Sequence, residues 1–349
     1  MKVGIVGCGE VSKVHIEALK DTEKCMVVSV CDLIKSKAEA LAKRYSIPHT
    51  YTDLSLMLQK EKLDLIHIVT PPQVHARLAI EAMNARCNVL VEKPMCMTVR
   101  EADQMINAAK RNNVKLGVVH SFLFTPGIRK ALKSVRQGEI GDLLWADTVI
   151  SIKSLLDWVN APGFPMWYAK LPGGLFGEII PHGLYVQLAF LGNVRKIFGV
   201  TKKIEKPSEL VPFSELQVLM DCENGLGGLF LSTRIRTPYT VIMVSIIGTR
   251  GLLLVNVPTG TVIKMKLGSS MSTLARARMN LEPASHLIKS SASLAAKTLL
   301  RSIEHHMTHK ILIKEFVESI QRGSKPPVTP EEGREVVRVT NLIWKNILT

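Results

Sequence analysis

The sequence has 349 residues, of which 46% are hydrophobic and 21% charged, and its formal net charge at pH 7 is +15. That length exceeds what one hydrophobic core usually serves, so we expect two domains, and the apolar content excludes global disorder. The positive charge favours an anionic partner, but only 5% of the residues are aromatic and no nucleic-acid-binding module is recognisable. We expect a small-molecule substrate, with the charge favouring an anionic one, and no nucleic acid.

Cysteine usage and hydropathy point to the cytoplasm. The six cysteines show no C-x-x-C spacing, and most lie in apolar runs, as reduced and buried thiols do. No run of about 18 apolar residues is free of charges, so no membrane-spanning helix is predicted. We expect a cytoplasmic protein without a disulfide framework.

Apolar runs alternate with helix-period segments over the first 122 residues. The predicted strands are Lys2–Gly7, Met26–Cys31, Asp64–Val69, Asn88–Val91 and Lys115–Val119. The predicted helices are Val11–Lys20, Lys35–Tyr45, Val74–Ala85 and Val99–Arg111. Continuous apolar strands separated by helices indicate a parallel sheet covered on both faces. We predict an α/β, doubly wound Rossmann domain over residues 1–122.

The pattern changes in residues 123–349, which we predict to be a second, α+β domain. Helices are predicted at Ile128–Gln137 and Leu175–Leu191, with further helices after residue 271. The predicted strands are Leu143–Ile152, Arg195–Ile204, Phe213–Asp221, Leu226–Thr233, Tyr239–Ile247, Leu252–Val257 and Thr261–Lys266. Asn224-Gly225 is a hairpin signal because both residues tolerate positive φ, so we predict a large, mostly antiparallel sheet.

A glycine-rich turn joins the first strand to the first helix. In Gly7-Cys8-Gly9-Glu10-Val11, the first glycine permits a tight turn and the second lets backbone approach a pyrophosphate at the helix N-terminus. Such a turn is often purely structural. Here Asp32 ends the second strand, where a carboxylate accepts hydrogen bonds from ribose hydroxyls. We predict NAD binding, and Lys35 and Lys37 leave NADP open.

Other candidate cofactor contacts lie where further parallel strands end, since open α/β sheets bind ligands at that edge. Thr70 and Pro71 end one strand and His75 begins the next helix, while Glu92 and Lys93 follow another strand. A solvent-exposed residue at a helix end is the alternative interpretation of His75.

The same segments resemble a known family. KVGIVGCGEVSKVH, VTPPQVH, VLVEKPM, GGLFGEIIPHGLY and GSKPPVTPEEGREVVRV are similar to the glucose–fructose oxidoreductase, inositol dehydrogenase and rhizopine-catabolism family (Gfo/Idh/MocA). The resemblance implies a nicotinamide-dependent oxidoreductase. It also implies that the Glu-Lys-Pro lysine and an acid–His pair on the second domain's first long helix form the catalytic set: Lys93, Glu178 and His182.

Chemistry supports this assignment. Positions 178 and 182 are one helical turn apart and so share a face. Oxidation of an alcohol needs a base for the hydroxyl proton and a positive charge near the developing alkoxide. We expect His182 to accept or relay the proton, Glu178 to orient it, and Lys93 to stabilise the charge or act as the base. Taken singly, each is equally well explained as a core histidine, a solvated acid or a strand end.

Several positions depart from the family pattern. Glu178 replaces an aspartate, Tyr185 replaces an aspartate often found three residues after the histidine, and Leu123 stands where arginine is common. Tyr185 and the loop residues Trp167 and Tyr168 are candidate substrate contacts, with core packing as the alternative. We predict no metal site, although His305, His306 and His309 cluster near one another in the sequence.

Residues 261–310 carry eight Lys or Arg against two Glu. On a helix over 286–304, Lys289, Ser293, Lys297 and Arg301 form one stripe, and Leu287, Leu294, Ala295 and Leu299 lie opposite. An ordinary surface helix, an oligomer interface and peripheral contact with an anionic membrane are the interpretations.

Three functions remain open at this point. The first is an NAD(P)-dependent dehydrogenase or reductase for a sugar, polyol, nucleotide sugar or related carbonyl compound, working as a homo-oligomer (a dimer or tetramer). The second retains NAD and uses transient oxidation for elimination or glycoside cleavage. The third is a non-catalytic nucleotide-binding scaffold.

Overall fold

The computed structural model describes residues 1–152, 156, 159, 164–235, 241–266, 281, 283–292, 295–296 and 307–348. The chain divides into two compact units. The first comprises Met1–Phe124 and His306–Arg338, and the second comprises Thr125–His305 and Val339–Thr349.

A six-stranded parallel sheet forms the centre of the first unit. Its strands are β1 (Lys2–Val6), β2 (Met26–Cys31), β3 (His49–Tyr51), β4 (Leu65–Ile68), β5 (Asn88–Val91) and β6 (Leu116–Val118), in the order β3-β2-β1-β4-β5-β6. The side chains of Ile5, Ile66 and Leu90 are inaccessible to solvent, as expected for strands covered on both faces. The strand order reverses between β1 and β4, where such sheets open a ligand crevice.

Helices connect these strands and cover the sheet. They are α1 (Glu10–Lys20), α2 (Lys35–Tyr45), α3 (Leu54–Lys60), α4 (His75–Asn84) and α5 (Val99–Asn112), with 3-10 turns at Pro72–Val74 and Ser121–Phe124. The predicted doubly wound fold is confirmed. The strand β3 and the helix α3 were not predicted, because both are short. β3 has three residues and no apolar run, and α3 spans only two turns.

The C-terminal return to the first unit was not anticipated. The helix α8 (Met307–Arg322) packs on this unit, and a Cβ built on Gly117 of β6 would lie 2.5 Å from the Phe316 ring. Arg334 Nε also donates to Asp103 Oδ1 of α5 at 2.6 Å. The expected division at 122/123 assigned all of 123–349 to the second domain. Residues 306–338 instead belong to the first unit, because their apolar side chains cover its sheet.

A seven-stranded sheet dominates the second unit. Its strands are β7 (Leu143–Ser151), β8 (Val194–Lys203), β9 (Phe213–Cys222), β10 (Gly225–Ser232), β11 (Ile242–Gly248), β12 (Gly251–Asn256) and β13 (Thr261–Lys266), in the order β13-β12-β11-β7-β10-β9-β8. Neighbouring strands are antiparallel except β7 and β10, which run parallel. The mostly antiparallel sheet is confirmed.

The hairpin between β9 and β10 is confirmed, but its turn differs from the predicted one. Cys222 pairs with Gly225, so Glu223 and Asn224 are the turn residues. Gly225 has a φ of 145°, whereas Asn224 keeps a negative φ. The glycine is needed at the first strand position, where a Cβ would lie 2.8 Å from the Leu144 carbonyl oxygen.

The second unit also contains α6 (Pro126–Arg136), α7 (Leu175–Leu191) and the end of α9 (Pro330–Leu348). Residues 283–292 of the basic segment are helical, and Ser290 Oγ lies 2.6 Å from Thr261 Oγ1 of β13. Leu287 and Ile288 are exposed there. Most of the predicted basic stripe, including Lys297 and Arg301, lies outside the described residues. Among the described residues, no helix is long and apolar enough to cross a membrane.

Two glycines shape the start of α7. Gly173 has a φ of 73°, and a Cβ there would collide with the Trp344 ring; a Cβ on Gly174 would collide with the Leu210 carbonyl. Protein atoms fill both spaces, so the pair serves the packing of α7 and leaves no room for a ligand beside the backbone.

We predict that Gly173→Ala destabilises the second unit more than Gly260→Ala does. Both glycines have φ near 70°, and only Gly173 lacks room for a Cβ. The left-handed backbone alone should cost about 1 kcal/mol in each variant, and overpacking against Trp344 about 1–3 kcal/mol more in Gly173→Ala. Urea unfolding measures both, and equal losses would contradict this account of Gly173.

Candidate cofactor and catalytic sites

The turn after β1 has the geometry that a pyrophosphate requires. Gly7 has a φ of 98°, and a Cβ there would lie 2.7 Å from the Val69 carbonyl oxygen. Gly9, the N-cap of α1, has no heavy atom within 4 Å of its Cβ position, and no side chain caps the helix. Open space therefore faces the uncapped, positive end of α1, where a phosphate group fits.

The next residues of α1 face in different directions. Ser12 is buried, and its hydroxyl donates to the Gly9 carbonyl at 2.5 Å. Glu10 and Val11 are exposed, and the Glu10 carboxylate lies 2.6 Å from Lys13 Nζ. The cofactor contacts expected from Glu10 and Val11 stay a prediction, and their backbone amides at the start of α1 are the groups that could make them.

Asp32 is fixed at the end of β2 by two backbone amides. Its Oδ2 accepts from Cys8 N at 2.8 Å, and its Oδ1 accepts from Ile34 N at 2.9 Å. The side chain stays partly exposed. Each carboxylate oxygen keeps acceptor capacity for the adenosine ribose hydroxyls, so Asp32 fits the dinucleotide role assigned to it.

His75 is not available to a cofactor. Its side chain is 0% exposed, with Nε2 2.7 Å from the Thr70 carbonyl oxygen and Nδ1 3.0 Å from that of Pro94. Burial lowers its pKa, and the hydrogen bonds to these carbonyls counter that effect. The expected cofactor contact and the solvent-exposed alternative were both wrong. His75 instead ties the Thr70-Pro71 segment to the Glu-Lys-Pro loop.

Glu92 is buried, and its side chain is engaged by protein atoms. It follows β5, is 8% exposed, and its Oε1 lies 3.0 Å from His15 Nε2, while its Oε2 accepts from the Lys93 amide at 3.1 Å. Burial raises the pKa of Glu92, but the hydrogen bond and charge of His15, with the charges of His309 and Lys93, lower it to about 2. The Glu92 side chain is thus occupied by protein partners, and a cofactor contact by this residue stays a prediction. Lys93, which is partly exposed, is the more accessible candidate in this loop.

Sequence reasoning missed a buried histidine network beneath this loop. His15 of α1 and His67 of β4 are both inaccessible, with their Nδ1 atoms 2.8 Å apart. His309 of α8 brings Nε2 to 3.8 Å from Glu92 Oε1. The members come from positions 15, 67, 92 and 309, so no local motif joins them. A buried histidine in an apolar run, as in Leu65–Ile68, was the available signal.

The helix α7 carries the predicted acid and histidine one turn apart. Nδ1 of His182 lies 2.7 Å from the Tyr185 hydroxyl, and Tyr185 is only 2% exposed. Glu178 is in the first turn of the helix and partly buried. Tyr185, expected to contact substrate, is thus a buried partner of His182. Orientation of His182 by Glu178 stays a prediction.

An aromatic loop precedes α7. Met166–Lys170 forms a 3-10 turn in which the Trp167 and Tyr168 rings lie 3.9 Å apart, and the Phe164 ring is 5.2 Å from that of Tyr168. All three rings are partly exposed rather than part of the core. A half-exposed aromatic surface suits contact with an apolar face of a ligand.

Metal ligands do not cluster in the part of the chain that the structure describes: it contains no group of three or more His, Cys, Asp or Glu arranged to hold an ion. His309 belongs to the Glu92 network. His305 and His306 lie outside the described residues.

Comparison with known proteins agrees with these features. Residues 1–120 match the profile of an oxidoreductase family with an NAD-binding Rossmann fold (Gfo/Idh/MocA), and residues 128–254 match the C-terminal domain of that family. Together the two matches cover more than half of the chain.

Individual relatives are distant. Oxidoreductase P35 of Formosa agariphila is 29% identical over 203 residues, which are 56% of this chain and 61% of that protein. D-apiose dehydrogenase of Paraburkholderia graminis is 25% identical, over 78% of this chain and 72% of that protein. A structure of levoglucosan dehydrogenase with NADH covers 100% of this chain and 97% of its own, with a TM-score of 0.81 at 18% identity. The chain belongs to the Gfo/Idh/MocA family of oxidoreductases, with its NAD-binding Rossmann fold.

Proposed function

We propose that the protein is an NAD-dependent dehydrogenase that acts on a hydroxyl group of a sugar, polyol, nucleotide sugar or related compound. One observation carries the proposal. The glycine turn, Asp32, Thr70 and Lys93 follow β1, β2, β4 and β5, so they all lie at the carboxyl edge of one parallel sheet. At that edge, an open α/β sheet binds a dinucleotide.

Cofactor binding uses the first unit. The uncapped start of α1 would hold the pyrophosphate and Asp32 the adenosine ribose, which leaves the nicotinamide end for the Lys93 loop. NAD, when bound there, would supply the acceptor for the hydride that leaves the carbon bearing the substrate hydroxyl. The Lys93 ammonium would stabilise the negative charge that develops on the oxygen as the proton leaves.

His182 would accept the hydroxyl proton at Nε2, because its Nδ1 is engaged by Tyr185. A carboxylate can only accept from Nδ1, whereas a phenol both donates and accepts. When Nδ1–H donates to the Tyr185 oxygen, Nε2 is bare and can take a proton, and the imidazolium that then forms can return that proton while Nδ1–H still donates to Tyr185. This arrangement suits both oxidation and reduction. Glu178, in the same helical face, would supply the negative charge that favours the protonated imidazole.

The substrate class rests on the relatives and on the aromatic loop. D-apiose dehydrogenase and levoglucosan dehydrogenase act on sugars, as their names state. The partly exposed rings of Trp167 and Tyr168 provide an aromatic surface on which the C–H face of a sugar ring can pack. We assign these two residues to substrate binding.

We further propose a homo-oligomer formed through the open face of the seven-stranded sheet. Phe198, Leu219 and Leu226 share that face and are 61%, 41% and 52% exposed. Adjacent exposed apolar side chains of this size mark an interaction surface, and a second copy offers the same surface. A monomeric mass in analytical ultracentrifugation at micromolar concentration would contradict it.

A cytoplasmic location is also proposed, on the basis of six free cysteines, five of them buried. The membrane contact considered for residues 286–304 is left as the weaker alternative, since Ser290 contacts β13 of its own unit. Sedimentation of the protein with anionic vesicles, but not with neutral ones, would favour the membrane.

The first prediction separates the dehydrogenase from its alternatives. With NAD and a panel of sugars and polyols, the wild type should produce NADH stoichiometrically with oxidised product. Lys93→Met should lose at least about a hundredfold in kcat, or about 2.7 kcal/mol, while NADH still binds. Turnover without net NADH would support the retained-cofactor mechanism. NADH binding without any turnover would support the scaffold.

The second prediction concerns cofactor choice. The Asp32 carboxylate should repel a ribose 2′-phosphate, so the dissociation constant for NADH should be lower than that for NADPH, and Asp32→Ser should narrow or reverse the difference. Lys35→Ala tests the alternative that Lys35 binds the 2′-phosphate, since Lys35 otherwise pairs with Glu39 on the exposed side of α2. If the wild type binds NADH and NADPH equally well and Lys35→Ala weakens the binding of NADPH alone, Lys35 binds the 2′-phosphate.

The third prediction tests Tyr185. Tyr185→Phe keeps the ring and removes the hydroxyl, so it should lower kcat by about ten- to a hundredfold in both directions with the melting temperature nearly unchanged. His182→Ala should be at least as damaging, and the double variant should lose less than the product of the two. Strictly multiplicative losses would mean that Tyr185 and His182 act independently.

A further inference from the structure

Four ionisable side chains meet beneath the Glu-Lys-Pro loop, and the mechanism above uses none of them. They come from four elements of the first unit: His15 from α1, His67 from β4, Glu92 after β5 and His309 from α8. A fifth, His120 after β6, is buried, and burial lowers its pKa to about 3 although the Glu92 charge opposes the shift.

The hydrogen bonds in this network have a direction. An ionised carboxylate only accepts, so His15 Nε2 must donate to Glu92 Oε1 whether His15 is neutral or charged. The two Nδ1 atoms of His15 and His67, 2.8 Å apart, need one proton between them. If His15 is neutral, His67 Nδ1 is the donor, which leaves His67 Nε2 as a bare nitrogen. Among the described residues that nitrogen has no partner.

The network reaches Lys93 through Glu92. Oε2 of Glu92 accepts from the Lys93 amide, and the Lys93 charge helps to lower the pKa of Glu92. His15 belongs to the helix whose N-terminus carries the glycine turn. One buried hydrogen bond thus links the helix of the pyrophosphate site to the loop of the nicotinamide site.

We propose that His15 is a positioning residue for the proposed dehydrogenase reaction. By donating to Glu92, it holds that carboxylate against the Lys93 amide and fixes the position of the Glu-Lys-Pro loop relative to the glycine turn. His67 fixes the ring of His15 from the other side. The proposal rests on the catalytic role of Lys93, so its test includes measurements that need no substrate.

Three variants isolate the hydrogen bond. His15→Leu removes the donor and keeps bulk, and His15→Gln offers an amide N–H near the position of Nε2. His49→Gln is the matched control, because His49 is exposed on β3 of the same unit and lies far along the sheet from β5. Circular dichroism and thermal unfolding establish which variants fold.

The substrate-free measurement is the titration of Glu92, followed by NMR with carboxyl-labelled glutamate. In the wild type and His49→Gln, Glu92 should stay ionised throughout the range from pH 4 to 8, since its pKa is about 2. In His15→Leu, burial without the donor should raise the pKa of Glu92 above its ordinary value of 4.5, and His15→Gln should restore most of the depression. An unchanged titration in a folded His15→Leu variant would overturn the proposal.

The kinetic measurement asks whether the carboxylate positions Lys93. His15→Leu should lower kcat by about ten- to a hundredfold with little change in the KM for NAD, the size of loss expected when a reacting group is slightly misplaced. The loss should grow toward low pH as Glu92 becomes protonated, and His15→Gln should recover most of it. A loss that is the same at every pH and is not recovered by His15→Gln would mean a purely structural role and would also overturn the proposal. If no substrate is turned over by the wild type, the proposed function fails, and the Glu92 titration still decides the role of His15.

Discussion

A buried carboxylate is stable only when it accepts hydrogen bonds and lies near positive charge, and the buried Glu92 carboxylate has both. The Glu92 side chain lies inside the first unit with His15 at 3.0 Å and the Lys93 amide at 3.1 Å. Two other segments contact it, the first helix through His15 and the helix α8 through His309, and His67 of β4 in turn contacts His15. The loop that carries Lys93 is therefore held by the same contacts that hold the helix of the glycine turn.

The sequence predicted those features that depend on neighbouring residues. Gly7, Gly9 and Asp32 follow strands whose apolar runs are unmistakable, so their place at the sheet edge could be deduced from the pattern of buried residues and turns. The helix α7 was predicted with its observed bounds, and with it the one-turn spacing of Glu178 and His182. Short elements such as β3 carry too few residues for a periodicity.

Side-chain partners across the fold could not be predicted. The pairing of His15 with His67 joins residues 52 positions apart, and only the strand order brings them together. His75 looked like a ligand contact because it follows a strand end, but its ring is buried and held by the Thr70 and Pro94 carbonyl groups. The role of each glycine could not be predicted for the same reason. Open space faces Gly9, whereas Trp344 occupies the space beside Gly173. Whether a missing Cβ serves a ligand or a neighbouring side chain depends on atoms far away in the sequence.

The return of residues 306–338 to the first unit has a consequence for synthesis. The segment between the two parts of this unit, Thr125–His305, must leave the ribosome before α8 exists. At about 5–20 residues per second, the interval is roughly 10–40 seconds, during which Gly117 and the face of β6 lack the Phe316 ring and Glu92 lacks His309. One apolar surface of the nascent Rossmann sheet is therefore exposed to solvent during this interval, and a chaperone could bind it until α8 is synthesised.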